Sequence, residues 1–117
     1  MKRKEIFQYV AEKYNTKPEY LWKKYPHYAV LRYQQNKKWY AIIMDVEKEN
    51  LGLEGEKSED IMDIKLNPET IELLQSSKGF LPAYHMNKSH CLSVRIDQMD
   101  SKQIGKLIDA SYELTES

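Results

Sequence analysis

Cysteine is nearly absent from this chain: Cys91 stands alone among 117 residues, so no internal disulfide can form. That usage agrees with a reducing compartment. Glycine is scarce too, and Gly52, Gly55, Gly79 and Gly105 are dispersed, which excludes a Walker or dinucleotide phosphate loop. No apolar run approaches the roughly 20 residues needed to cross a bilayer. The start, Met1-Lys2-Arg3-Lys4-Glu5, is basic but leads into a charged amphipathic segment instead of an apolar signal core. These absences predict a protein of the cytoplasm with no membrane partner. Phenylalanine is rare at two residues, whereas tyrosine reaches nine, a bias that suits surfaces partly apolar and partly wet.

Net charge is also missing, but its zero hides an asymmetry. Residues 1–38 hold ten Lys or Arg against three Glu, and residues 39–117 hold eight against fifteen Asp or Glu. Either the charges alternate locally on solvated faces, or the molecule is bipolar with a basic side that attracts an anion. A pI near 6.8 lacks the strongly basic signature of a dedicated nucleic-acid binder.

What is present suffices for one domain over residues 1–117, since 41% hydrophobic content can fill one modest core. Ile6, Phe7, Val10, Ala11 and Tyr14 recur at helical spacing, and Asn15 stops that helix. Thr16-x-x-Glu19 has the form of a capping box with Pro18 in the first turn, predicting a short helical turn carrying Tyr20 and Leu21. Tyr25-Pro26 breaks it. Residues 28–33 and 39–46 read as two strands joined by the polar turn 34–38. Residues 47–59 form an acidic irregular connection, and Ile61, Ile64 and Leu66 mark a third strand.

Asn67-Pro68 opens a second helix that Gly79 closes. Residues 83–87 and 91–97 make fourth and fifth strands with a turn at 88–90, and Asp100 or Ser101 caps a last helix with the stripe Ile104, Leu107, Ile108 and Ser111. The order α-β-β-β-α-β-β-α predicts a compact two-layer α+β domain, with helices on one face of an antiparallel sheet.

Chemistry is concentrated in Pro82-Ala83-Tyr84-His85-Met86-Asn87-Lys88. Tyr84 and His85 can donate hydrogen bonds to an anion and Lys88 supplies a point charge. If residues 83–87 are extended, Tyr84 and His85 point to opposite faces and converge only if Pro82 bends the chain. The plainer alternative is that one face packs in the core and the other anchors a hairpin. His85, His90 and Cys91 match no standard zinc spacing, so no metal site is expected. Cys91 beside His90 lies on the opposite strand face and cannot be its nucleophile partner. No enzyme activity and no cofactor are expected.

Tyr25-Pro26, Lys38-Trp39-Tyr40-Ala41, Leu51-Gly52-Leu53, Asp63 to Pro68, Pro82 to Lys88 and Ser111-Tyr112-Glu113-Leu114 follow one another in the order typical of the YjbR/MmcQ family, which this chain resembles over nearly its whole length. One departure is Cys91, where the family usually has Trp after the position of His90; stacking there is weakened. The resemblance implies a CyaY-like or secretion-chaperone-like topology and DNA binding through a double-wing arrangement. In that form the candidate contact residues are Arg32, Lys37, Lys38, Trp39, Lys65, Tyr84, His85 and Lys88. Trp39 and Tyr40 alternate faces, so one of them fills the core. The rival expectation is a monomeric protein-interaction module, holding a partner segment on a surface of Tyr20, Tyr25, Tyr28 and Tyr33.

Overall fold

A computed structural model describes residues 1–116. Helix α1 spans Arg3–Tyr14, strands β1 and β2 span Ala29–Arg32 and Trp39–Glu47, and β3 spans Ser58–Lys65. Helix α2 (Pro68–Leu74), strands β4 (Phe80–Pro82) and β5 (Cys91–Arg95), and helix α3 (Ser101–Thr115) complete the chain. The five strands form one sheet in the order β1-β2-β3-β5-β4, every pairing antiparallel. The expected α+β class and element order are therefore observed.

Two apolar clusters divide at the sheet. The larger joins Ile6 and Val10 of α1, Ile71 of α2 and Ile104 and Ile108 of α3 to Ile43, Met62, Ile64, Leu92 and Val94. The smaller contains Val30, Ile42, Met44, Val46 and Ile61 on the opposite face and includes no α-helical residue. Period-two alternation separates the faces: Ile61 and Ile64, both expected in the third strand, lie on opposite sides. All three α-helices thus cover one face, and the other is left to two loops.

The element ends follow local chemistry. Glu5 accepts from the backbone N–H of Lys2 at 2.9 Å, and Asn15 closes α1 in the left-handed region at φ 53°. Asp100 caps α3, accepting from Gln103 N–H at 2.8 Å. Ser111 then ties α3 to the sheet. Its hydroxyl donates to the Tyr40 carbonyl and accepts from Lys65 N–H. Of the pair Trp39 and Tyr40, Tyr40 is the buried one, its hydroxyl donating to Thr16 at 2.8 Å.

Four local expectations fail. Residues 16–21 are not helical: Glu19 pairs with Val30 as an isolated antiparallel bridge, because an edge strand offers its backbone partners that one short turn does not. Helix α2 ends at Leu74, before the expected Gly79, and a turn over residues 75–79 intervenes. Gly79 is nonetheless required, since its φ is +91° and a Cβ would come within 2.7 Å of the Met99 methyl. The fourth strand is Phe80–Pro82, not residues 83–87, which leave the sheet as a turn after Pro82. The fifth strand ends at Arg95 and continues as a 3₁₀ turn over Ile96–Gln98.

The two charge halves meet in ion pairs. Lys2 meets Asp97 at 3.2 Å, Arg3 meets Asp60 at 2.8 Å and Lys13 meets Asp109 at 2.8 Å, so bases of the first third pair with acids of the remainder.

Candidate functional site

On the helix-free face one row crosses all five strands: Val30, Ile42, Asp63, Ser93 and Leu81 stand in register on neighbouring strands. Asp63 is an acid within an apolar row and is completely buried. Ser93 donates to its Oδ1, while Oδ2 has no hydrogen-bond partner among the described residues. Burial pushes the Asp63 carboxyl up to about 7, opposed by the Ser93 hydrogen bond and the Lys88 charge. Ser93 Oγ also accepts from the backbone N–H of Tyr84 at 2.9 Å, so the buried acid fixes the point where the chain leaves β4.

That chain turns sharply. His85 sits at φ +59°, an uncommon conformation for a residue with a side chain. The turn sets the rings of Tyr84 and His85 4.1 Å apart, so the two side chains that strand alternation separated lie together. Lys88 folds back and donates to the Ala83 carbonyl at 2.9 Å.

A second loop, residues 17–28, faces this turn. Arg3 holds it, donating to the His27 carbonyl at 2.7 Å while its guanidinium grips both Asp60 oxygens at 2.9 and 2.8 Å. Tyr25 stacks on Tyr28 at 4.6 Å, and Trp22 meets Tyr28 edge-on at 6.0 Å. Between the loops lies a cleft of about 200 Å³, floored by Ile42 and Met44 and walled by Trp22, Tyr25, Tyr28, Tyr84, His85 and Met86. Trp22 and Tyr25 are 42% and 44% exposed, so part of each side chain is open to solvent. A neighbouring cleft of about 360 Å³ shares Tyr84 and His85 and adds Lys88 and Asn50.

The sequence-predicted residues divide between two places. Trp39 packs on the helix-free cluster with Tyr28, Tyr84 and Met86, and Lys65 lies with its ammonium 4.5 Å above the Trp39 ring. Burial pulls the Lys65 ammonium down, and the charge of nearby Lys38 adds to that. Trp39, Lys65, Tyr84, His85 and Lys88 therefore share one side of the sheet, and Lys38 is close enough for its charge to act on Lys65. Arg32 and Lys37 do not join them. They line a separate cleft with Asn15 and Glu19, where Arg32 pairs with Glu19 at 3.3 Å and donates to the Lys37 carbonyl at 2.8 Å. The expected tyrosine surface is also split: Tyr20 and Tyr25 are exposed, whereas Tyr33 packs against Tyr112 of α3.

Asp63, Ser93 and Trp22 were not among the predicted site residues. The visible signal for Asp63 was a carboxylate inside the apolar run 61–66, and for Trp22 the aromatic density of residues 20–28. Cys91 is buried, and burial raises its thiol further from a reactive thiolate.

The profile of the YjbR family matches residues 11–114. The "Uncharacterized protein YyaQ" of Bacillus subtilis (strain 168) is 46% identical over 114 residues, covering 97% of each chain. A crystal structure of a Pseudomonas syringae protein superposes with a TM-score of 0.95 at 42% identity, covering 98% of this chain and 99% of that one. A Deinococcus radiodurans crystal structure, at 19% identity and a TM-score of 0.73, covers 97% of this chain and 78% of its own and shares the fold. Together with the ordered motifs from Tyr25-Pro26 to Leu114, these matches establish that the chain belongs to the YjbR family.

Proposed function

We propose that this protein is a non-enzymatic DNA-binding module, acting as a monomer in the cytoplasm, and that it binds through the helix-free face of its sheet. One observation carries the reading: that face gathers Trp39, Tyr84, His85 and the Trp22–Tyr25–Tyr28 cluster together with Lys65 and Lys88. Aromatic faces beside ammonium groups are what nucleic-acid surfaces use, rings for bases and charges for phosphates. The Arg32–Lys37 end of the first hairpin contributes little to this reading, since Arg32 is already paired with Glu19.

Fluorescence anisotropy with labelled DNA at about 50 and 200 mM salt tests it, because phosphate contacts release counterions and weaken steeply as salt rises. The reading expects binding at low salt that Lys88→Glu weakens across all sequences, while Lys37→Glu leaves it nearly unchanged. Absence of binding at low salt removes DNA and favours a chaperone-like module for a protein segment. A specific observation supports that second reading: Tyr20 and Leu21 are 54% and 51% exposed and lie outside the aromatic cleft.

A further inference from the structure

The cleft between residues 22–28 and 84–86 is too small for an extended chain. Its volume of about 200 Å³ lies below the roughly 300–1,000 Å³ of drug-sized ligand sites. Its shape suits one flat ring: Trp22, Tyr25 and Tyr28 form one wall, Tyr84 and His85 the other, and Ile42 and Met44 close the bottom without a polar atom apart from the Met thioether. Such walls stack a planar ring and exclude water from its faces.

Charge decides what carries the ring. Lys24 stands with its ammonium 5.9 Å from the Tyr25 ring centroid, at one rim. Lys88 lines the adjoining cleft, which continues past Tyr84 and His85. Lys24 itself lines a third cleft together with Asp45 and Glu47, whose charges repel phosphate, whereas the Lys88 cleft is lined by no acid among the described residues. An anionic chain therefore has a favoured side, with its base in the aromatic cleft and its phosphate toward Lys88. Paired bases in a duplex cannot present a ring face to this cleft; an unstacked base in a single strand can.

We propose that this cleft seats one unpaired base of single-stranded nucleic acid, with Lys88 holding the flanking phosphate. The proposal rests on the DNA-binding reading above and specifies its ligand. The left-handed backbone of His85 and the Ser93 hydrogen bond to Tyr84 N–H fix the second wall in advance, so little ordering is needed when the base enters.

The test uses the wild-type protein, with Trp22→Phe identifying which part of the fluorescence change belongs to Trp22, and three probes of equal length: oligothymidylate, an abasic strand and a duplex. The expected result is Trp22 quenching by oligothymidylate and affinity about ten-fold above that for the other two, the scale of one stacked base. Tyr84→Ala should reduce oligothymidylate to the abasic level and Tyr84→Phe should not; circular dichroism confirms that both are folded. Equal affinity for all three probes overturns the base-in-cleft proposal and leaves DNA binding standing. No binding of any probe at low salt overturns both.

Discussion

Ser93 donates to the buried carboxylate of Asp63 and accepts from Tyr84 N–H, so a single hydroxyl links the middle of the sheet to the turn that builds the aromatic cleft. The second carboxylate oxygen has no partner, which makes the charged form of Asp63 unfavourable in the folded protein.

Stability should therefore fall as pH rises through the acid range. The Asp63 carboxyl is raised from 3.8 to about 7 on folding, chiefly by burial. A proton held more tightly by the folded state stabilises it fully below the unfolded value, and this contribution is lost as pH rises to the folded value. The window runs from about 4 to about 7, with an amplitude on the order of a few kcal/mol. Lys88, Tyr28 and Cys91 are the other ionisable groups in its field; burial raises Tyr28 and Cys91, so neither supplies a slope in this window. Urea unfolding at a series of pH values should show a shallower slope for Asp63→Asn. An unchanged slope would assign the dependence elsewhere.

Arg3→Ala should release the 17–28 loop. The variant loses the paired contacts to Asp60 and the bond to the His27 carbonyl. A loss of about 1–3 kcal/mol follows from charge-assisted hydrogen bonds of this kind. Amide exchange should accelerate for residues 20–28 more than for β2 and β3. Uniform acceleration would mean that Arg3 supports the whole fold instead of the loop.

Ser111→Ala should weaken the docking of α3 onto the sheet. It leaves the Tyr40 carbonyl and Lys65 N–H without their shared partner, at a cost of about 2 kcal/mol or more. Tyr40→Phe removes a single buried hydroxyl bond to Thr16 and should cost about 1–2 kcal/mol. The urea midpoints should rank wild type above Tyr40→Phe and Tyr40→Phe above Ser111→Ala.

Periodicity made the layers legible, because Ile6 and Val10, or Leu92 and Val94, need only the spacing of their own element to reach one core. The cleft was less legible. Its walls come from residues 22–28 and 84–86, two segments without regular spacing, and their meeting depends on tertiary contacts such as Arg3 with His27. Strand alternation separated Tyr84 from His85 because the chain was read as extended, whereas the left-handed His85 turns it. Arg32 and Lys37 looked available because composition does not reveal that Glu19 lies beside Arg32.

The most direct test of nucleic-acid binding by the helix-free face is an amide and indole chemical-shift titration of the intact protein with short oligothymidylate at low salt. The account predicts concerted shifts at the Trp22 indole and the amides of Tyr25, Tyr84, His85 and Met86, with α1 and α3 silent. Shifts confined to Arg32, Lys37 and their neighbours, or none at all, would contradict it.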